Sequence, residues 1–250
     1  MEKLTSRKNP VCVHLKKLGA DKSYRDTHGS FICEGIKMFD EAVKSGADID
    51  IVLSSVQIKH SMQPDTRVYY AHNDLIDSLS QLKNHQGILF SCRSMSDDFI
   101  DPLSGIHILL DDIQDPGNVG TIIRSAFAFG IKSVILTGGS ADIYNPKTVR
   151  ASMGAIFRQK ISKITHNEIY GLKKSGVNFI GASNSGEFTD IRNIELKNAI
   201  IVIGNEGRGI SREIQTVCEE MITIPLSSDI DSINAAAAAT IIMWEAMKRV

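Results

Sequence analysis

From residue 106 onward, short apolar runs alternate with stretches of helical periodicity. Uninterrupted apolar runs of this length are typical of strands buried on both faces of a parallel sheet. The runs lie at 106–110, 133–137, 177–182, 200–203 and 221–224, and helices are predicted at 118–129 and 232–248. The pattern predicts an α/β domain over 106–250, with a parallel sheet flanked by helices.

The first part of the chain has a different rhythm. Its patterns are shorter and predict a second, small α/β domain over residues 1–95. Helices are expected at 9–19, 34–46 and 72–83, and strands at 50–53 and 87–91. The polar stretch that follows contains Pro102 and Gly105, so residues 96–105 are predicted to be a linker.

Composition excludes several classes of protein. With 250 residues, 42% hydrophobic and 23% charged, the chain has a globular composition, which excludes disorder and fibrous repeats. No apolar run approaches the roughly 20 residues of a membrane span, and the N-terminus lacks the apolar core of a signal peptide. The four cysteines form no C-x-x-C pair, which argues against a zinc site or a disulfide scaffold. We therefore expect a cytoplasmic protein without metal.

The charge is unevenly distributed, although the net charge is only −1. Residues 1–37 contain eight basic and four acidic side chains. A polyanion would therefore meet this segment first. A solvated helix face explains the same excess, and charge alone leaves both readings open.

Polar loops follow three of the predicted strands, and ligands of open α/β sheets bind at the carboxyl ends of strands. In the first loop, Asn118 is a candidate helix N-cap. Arg124 falls six residues later among apolar neighbours. A guanidinium there indicates either a structural ion pair or a site where a phosphate or carboxylate binds.

The second loop, residues 204–209, has three glycines around Glu206 and Arg208. It lacks the Lys-Ser/Thr of a P-loop and the order of a dinucleotide fingerprint. The third loop, residues 224–234, leads into an alanine-rich helix for which Ser232 is a candidate cap. The sequence contains no evident catalytic triad, metal-binding histidine pair or pair of catalytic carboxylates.

In this order and spacing, the loops resemble the motifs of the TrmH/SpoU family of RNA ribose 2′-O-methyltransferases. The matches are D-x-x-D-P-x-N-x-G…R at 112–124, G-x-E-G-x-G at 204–209 and I-P…S-x-N at 224–234, with an S-x-G-A segment within 150–155. Family members belong to the SPOUT class, whose α/β domain has a C-terminal trefoil knot. One departure is the pair of alanines at 235 and 236, where the family usually has valine and serine.

The N-terminal half resembles the ribosomal-protein-like domain of family members that act on large-subunit rRNA. The matching residues are Asn9-Pro10, Lys16-Lys17-Leu18, Arg25 and residues 31–35 (FICEG). This resemblance favours 23S rRNA over tRNA as the substrate.

The resemblance implies transfer of a methyl group from S-adenosylmethionine to a ribose 2′-hydroxyl by a homodimer. The subunits would meet through the final helix and the helix of the first motif. Implied catalytic residues are Asn118, Arg124, Glu206, Ser232 and Asn234. Implied cofactor-binding residues are Gly181, Ala182, Gly204, Asn205, Gly207, Gly209, Ile224, Leu226, Ile233 and Asn234. The RNA contacts that we expect are Arg7, Lys8, Lys16, Lys17 and Arg25.

Arg124 is a poor general base, because an arginine pKa of about 12.5–13.8 makes its deprotonation at pH 7 costly. We expect it to bind the adjacent phosphate and stabilise the developing alkoxide, with Asn118 and Glu206 orienting it. Two alternatives stay open: a tRNA 2′-O-methyltransferase, and a non-catalytic RNA-binding or ribosome-assembly module. A nucleotide-binding α/β enzyme would need a phosphate-cradling motif, which this sequence lacks.

Overall fold

The computed structural model describes residues 2–82, 85–95, 103–184, 188–230 and 232–248. The chain folds into two compact units. The first comprises residues 1–96 together with 142–157, and the second comprises 97–141 together with 158–250. Residues 96–102 of the expected linker lie outside the described part of the chain, so the proposed boundaries at 95 and 106 stay a prediction.

The first unit contains a mixed sheet, whose described strands lie in the order β1-β4-β3-β5-β2. Strand β1 pairs with β4, and β4 with β3, in parallel, whereas β5 is antiparallel to both of its neighbours. The elements are β1 (Glu2–Leu4), α1 (Pro10–Ala20), α2 (Lys22–His28), β2 (Ser30–Glu34), α3 (Ile36–Ser45), β3 (Ile49–Ser54), β4 (Arg67–Ala71), α4 (Asn73–Asp77), β5 (Ile88–Arg93) and α6 (Pro146–Ser152).

The sequence predicted the α/β character of this unit but not its full sheet. Strands β1, β2 and β4 and helix α2 were missed, and the helix expected at 72–83 is only the five residues of α4. The run Phe31–Cys33, for which the sequence predicted no element, lies in the buried strand β2. Short strands give too few residues for periodicity to separate them from the flanking helices.

A buried ion pair lies inside the first unit. Arg25, only 4% exposed, donates through Nε and Nη2 to Asp142 Oδ2 at 3.1 and 2.7 Å. Its Nη1 donates to the Leu18 carbonyl oxygen at 2.7 Å. Nearby, the rings of Phe31 and Tyr144 stack with centroids 4.5 Å apart. Residues 142–157 thus belong to the first unit through both charge pairing and aromatic packing.

The second unit is built on a sheet in which every described pairing is parallel, in the order β10-β12-β9-β11-β6-β7-β8. Its elements are β6 (Ile106–Asp111), α5 (Pro116–Ala128), β7 (Ser133–Thr137), β8 (Ile161–Ile164), α7 (His166–Lys174), β9 (Asn178–Ala182), β10 (Thr189–Asp190), β11 (Ala199–Gly204), α8 (Arg212–Gln215), β12 (Glu220–Thr223) and α9 (Ala235–Met247). The predicted α/β domain with a parallel sheet flanked by helices is confirmed, whereas the knot stays a prediction. Strands β8 and β10 and helices α7 and α8 were not predicted.

Strands β6 and β11 are the central pair of this sheet and are buried along nearly their whole length. Their register places Gly204 opposite Asp111, so the first and second polar loops leave the sheet side by side. Strand β9 pairs with β11 on its other side and with β12 beyond, which brings the third loop to the same edge. The parallel sheet therefore gathers the three loops at one end.

None of the helices described in this structure is long and apolar enough to cross a membrane.

Candidate functional site

A cavity of about 570 Å³ lies in the second unit, at the carboxyl ends of β9, β11 and β12 and beside the start of α9. Its apolar walls include Ile203, Ile224 and Ile233, and its polar lining comes from backbone and side chains of all three strand-end regions. This volume lies within the range of small-molecule and cofactor sites, about 300–1,000 Å³. The cavity can therefore enclose a ligand that has both an apolar and a hydrogen-bonding part.

The glycine-rich loop after β11 forms one wall of the cavity. Asn205 and Gly209 exchange two backbone hydrogen bonds of 2.9 Å, which close the loop into a tight turn. The Asn205 side chain accepts hydrogen bonds from the N–H groups of Gly207 and Arg208 at 2.9 and 3.1 Å. A Cβ at Gly204 would collide with the backbone of Gly209 and Ile210, so the close approach here requires glycine.

Hydrogen bonds join side chains from the three sequence motifs. Asn118 Nδ2 donates to Glu206 Oε1 at 2.9 Å, and Asn234 Nδ2 donates to Asn118 Oδ1 at 3.0 Å. Glu206 also accepts from the backbone N–H of Gln114 at 3.2 Å. Both ends of the Asn118 amide are thus engaged, and its orientation is fixed by the two partners.

The helix caps differ from those that the sequence predicted. Asp115, not Asn118, caps α5, because its carboxylate accepts from the N–H groups of Gly117 and Asn118. Asn234, not Ser232, caps α9 by accepting from two N–H groups of the first turn, at 2.9 and 3.2 Å. Both predictions were wrong by two or three residues. Because Asp115 takes the capping role, the Asn118 side chain is available to contact Glu206.

The electrostatics favour an ionised Glu206. Partial desolvation of the carboxyl opposes ionisation, but hydrogen bonds from Asn118 and from the backbone outweigh it. The pKa of Glu206 is therefore lowered from its ordinary value of 4.5. At neutral pH Glu206 is therefore a carboxylate, which can only accept hydrogen bonds, and the groups around it are hydrogen-bond donors.

The structure brings most of the predicted cofactor residues together. Those that line the cavity are Ala182, Gly204, Asn205, Gly207, Gly209, Ile224, Leu226, Ile233 and Asn234, and Ser232 and Glu206 line it as well. Gly181 does not line it. It is buried in β9, where an added Cβ would strike the Met221 side chain.

Arg124 is placed apart from the cavity lining. It lies on the exposed side of α5, and no hydrogen bond or ion pair to it occurs among the described residues. The sequence left two interpretations of Arg124 open, a structural ion pair or a site for a phosphate or carboxylate. The ion pair is not observed in the described part of the chain. Asn118 is hydrogen-bonded to both Glu206 and Asn234, whereas the sequence-based hypothesis had Asn118 and Glu206 orient Arg124.

The five expected RNA contacts divide into two groups. Arg7, Lys8, Lys16 and Lys17 are exposed. Arg25 is buried and is committed to Asp142 and to a backbone carbonyl. We therefore leave Arg25 out of the RNA-binding surface, because binding a phosphate would require breaking a buried ion pair.

Sequence reasoning missed several residues of the site. Asp112, with a positive φ of 61°, pairs with Arg208, and its backbone carbonyl oxygen accepts from Asn205 Nδ2 at 2.8 Å. Ser183, Asn184, Gln215 and Ala238 also line the cavity. Pro116, a residue favoured at the first helical position, was a signal that could have located the true cap at Asp115. No group of three or more metal-ligand side chains occurs within the described residues.

Comparison with known proteins places this chain among RNA methyltransferases. Residues 105–244 match the SpoU rRNA Methylase family, and residues 9–89 match the MRM3-like substrate binding domain. The 23S rRNA (guanosine(2553)-2′-O)-methyltransferase RlmP of Bacillus subtilis is 28% identical, over 98% of both chains. The 23S rRNA (uridine(2479)-2′-O)-methyltransferase of Streptomyces viridochromogenes is 27% identical, over 99% of this chain and 92% of its own.

Among solved structures, the AdoMet-bound rRNA methyltransferase from Sinorhizobium meliloti superposes with a TM-score of 0.90 at 28% identity. The match covers 99% of this chain and 97% of that one. The fold and the site thus define an S-adenosylmethionine-dependent RNA methyltransferase of the SPOUT class. The chain belongs to the SpoU rRNA methylase family, and the resemblance inferred from the three motifs is confirmed.

Proposed function

We propose that this protein transfers a methyl group from S-adenosylmethionine to the 2′-hydroxyl of one ribose in 23S rRNA. The observation that carries the proposal is the hydrogen-bonded series Asn234–Asn118–Glu206, which joins the three motifs beside the cavity. The two full-length relatives act on 23S rRNA by their names, and they differ in the nucleotide methylated. We also propose that the protein acts in the cytoplasm, where such a substrate is found.

The cavity fits the cofactor by chemistry as well as by size. Ile203, Ile224 and Ile233 offer apolar contact to an adenine ring, and the backbone of 204–209 offers donors and acceptors. When bound, S-adenosylmethionine supplies an electrophilic methyl group on a sulfonium centre. The chain's own part is to hold this cofactor against the glycine turn and to exclude water from the apolar walls.

Arg124 provides the positive charge that the reaction requires. The 2′-oxygen becomes negatively charged as its proton is lost to solvent and it bonds to the methyl group, and a guanidinium beside the oxygen stabilises that charge. The same planar fork can bind the neighbouring phosphate with two hydrogen bonds. Arg124 is exposed on α5, where an RNA strand can reach it.

The homodimer is proposed from an exposed apolar surface on α5 and α9. Phe127, Ile241 and Trp244 are 42%, 41% and 47% exposed, which is unusual for large apolar side chains on adjacent helices. Ile122 and Ile242 on the same two helices are fully buried and belong to the core, so they are not part of this surface. Sedimentation of the purified protein tests the dimer, and a monomer at micromolar concentration would contradict it.

The test of function uses the full chain, labelled S-adenosylmethionine and two RNAs, unmodified 23S rRNA transcript and bulk tRNA. We expect calorimetric binding of about one cofactor per chain, and incorporation of label into the rRNA at a single nucleotide that resists alkaline cleavage. Labelling of tRNA alone would support the tRNA enzyme. Absence of cofactor binding by the folded protein would leave a non-catalytic RNA-binding module.

A further inference from the structure

Three aromatic side chains cluster on the surface of the first unit, on α1 and α2. The rings of Tyr24 and His28 are stacked, with centroids 3.8 Å apart and an angle of 26° between their planes. His14 lies 5.6 Å from the Tyr24 ring and 5.4 Å from the His28 ring, tilted by 60° to both. Because His14 is nearly equidistant from the two rings, it lies beside them and covers neither outer face. We call the stacked pair Tyr24 and His28, together with His14 beside it, the histidine–tyrosine stack.

Hydrogen bonds hold the stack in place. His14 Nδ1 and the Tyr24 hydroxyl are 3.0 Å apart, and His28 Nδ1 lies 2.9 Å from the Tyr24 carbonyl oxygen. Tyr24 and His28 are four residues apart on α2, the spacing that places side chains on one helix face. The rings are therefore preorganised, and a ligand that binds here need not order them.

One end of the stack is open to solvent. Tyr24 is half-buried against the core of the unit, and the Lys17 ammonium lies 5.2 Å from its ring centroid. His28 is exposed, and only one of its faces is used to cover Tyr24. The outer face of the His28 ring thus presents a flat π surface on which a nucleobase can stack.

The surroundings of the stack are basic. Lys17 on α1 lies near the Tyr24 ring, and Lys16 is exposed on the same helix. Arg67, which is near enough to influence His14, forms an ion pair with Asp50. Burial, reinforced by the nearby His28, lowers the pKa of His14 from its ordinary value of 6.5. A flat aromatic surface with lysine side chains near it suits a nucleobase attached to a phosphodiester, and it suits an acidic peptide less well.

We propose that the outer face of His28 stacks on one unpaired base of the RNA substrate, while Lys16 and Lys17 bind the flanking phosphates. This inference rests on the proposed function, because it takes RNA as the ligand. It adds to that function a base-contacting site on the substrate-binding unit. Stacking makes no hydrogen bonds to base edges, so the site selects a base that is unpaired and not a particular sequence.

The probe for this site is an 11-residue oligouridylate that carries one 2-aminopurine, whose fluorescence is quenched when it stacks. We expect the wild-type protein to bind it with quenching. His28→Ala should weaken binding by about fivefold or more and abolish the quenching, because base–aromatic stacking contributes about 1–3 kcal/mol per base. His28→Phe keeps a flat ring and should restore both.

The matched control is His72→Ala, which removes another exposed histidine of the same unit that caps no helix N–H with its side chain. It should bind the probe as wild type does. The proposal would be overturned by any of four results: wild-type binding or quenching by His28→Ala, an equal loss in His28→Phe, equal binding of a duplex, or failure of the wild type to bind the probe.

Cofactor titration of the same samples separates the stacking proposal from the proposed methyltransferase function. Cofactor binding without quenching contradicts only the stacking site, and quenching without cofactor binding contradicts only the methyltransferase.

Discussion

The side chains of Asn118 and Asn234 are joined by a hydrogen bond of 3.0 Å, although 116 residues separate them in the chain. Asn234 uses its oxygen to cap α9 and its amide nitrogen to reach Asn118. Asn118 passes the connection on to Glu206. The start of the final helix is thereby connected to the start of α5 and to the glycine turn. We expect a substitution at any one of these three places to alter the shape of the cavity.

The first prediction concerns the charge at Asn118. Asn118→Asp would place a second carboxylate against Glu206, and like charges at hydrogen-bond distance raise the pKa of at least one of them. We expect methyl transfer at pH 7 to fall by at least about tenfold, which corresponds to about 1.4 kcal/mol in the barrier, and to recover partly towards pH 5. Asn118→Ala should lose activity without this recovery. Identical pH profiles of the two variants would contradict the role assigned to the network.

The second prediction concerns Arg124. Arg124→Ala should reduce the rate of methyl transfer by about 10²–10³-fold, because one preorganised electrostatic group typically contributes that much. Cofactor affinity should be unchanged, since Arg124 does not line the cavity. Single-turnover rates and calorimetry measure the two quantities separately.

Arg212→Ala is the control for Arg124, because Arg212 is an exposed arginine of the same unit on α8. It should keep the wild-type rate. An Arg124→Lys variant with near-normal turnover would contradict bidentate recognition of the phosphate.

The third prediction compares two glycines of one turn. Gly204→Ala should abolish cofactor binding, because its Cβ would collide with the backbone of Gly209 and Ile210. At Gly207, an added Cβ would meet only Asn205 Oδ1, at 3.7 Å, which is an ordinary contact. Gly207→Ala should therefore bind the cofactor within a few fold of wild type. Calorimetric titration of both variants decides the matter, and equal affinities would contradict the placement of the turn.

The fourth prediction concerns the buried pair Arg25–Asp142. Arg25→Met would leave the Asp142 carboxylate buried without its partner, which typically costs about 3–5 kcal/mol of the free energy of unfolding. The double variant Arg25→Met with Asp142→Leu should recover most of this loss. Urea unfolding of the wild type and of the single and double variants measures both values. A single variant as stable as wild type would show that the pair is not buried in solution.

The fifth prediction follows from the lowered pKa of Glu206. A carboxyl whose folded-state pKa is lowered stabilises the protein above its ordinary pKa of 4.5, and this contribution is lost as pH falls through the lowered value. Because the side chain is exposed, we expect less than about 1 kcal/mol. Glu206→Gln should thus lower the unfolding temperature slightly at pH 7, and the difference from wild type should vanish in acid. The exposed Glu213 supplies the control Glu213→Gln, for which a similar pH-dependent difference would contradict the assignment.

The sequence predicted the site better than it predicted the small unit. Glycine spacing and strand order marked the loop at 204–209 as a candidate, the family resemblance implied the cofactor-binding residues, and nearly all of these line the cavity. The glycine signal can be read from the sequence because it is local: a tight turn requires glycine whatever the rest of the fold is. The parallel register that brings Gly204 beside Asp111 then follows from strand pairing.

Three features could not be read from the sequence, and each depends on distant contacts. Nothing near Arg25 distinguishes it from the exposed lysines of the same segment, because its partner Asp142 lies 117 residues away. The exposure of Phe127, beside the buried Ile122 and Ile123 on one helix, is likewise set by tertiary packing. Strand β1 depends on pairing with β4, and β4 pairs with β3 as well; neither is long enough to show a pattern alone.

The assignment of residues 142–157 to the first unit has a consequence for the order of folding during synthesis. Domains at the start of a chain commonly fold before the rest has been translated. Here the amino-terminal unit is finished only when Asp142 and the helix after it have left the ribosome, by which time β6, α5 and β7 of the second unit are already synthesised. Arg25 cannot pair with its counter-ion until then, so the first unit is completed only after translation passes residue 157, and the second only after α9 has been synthesised.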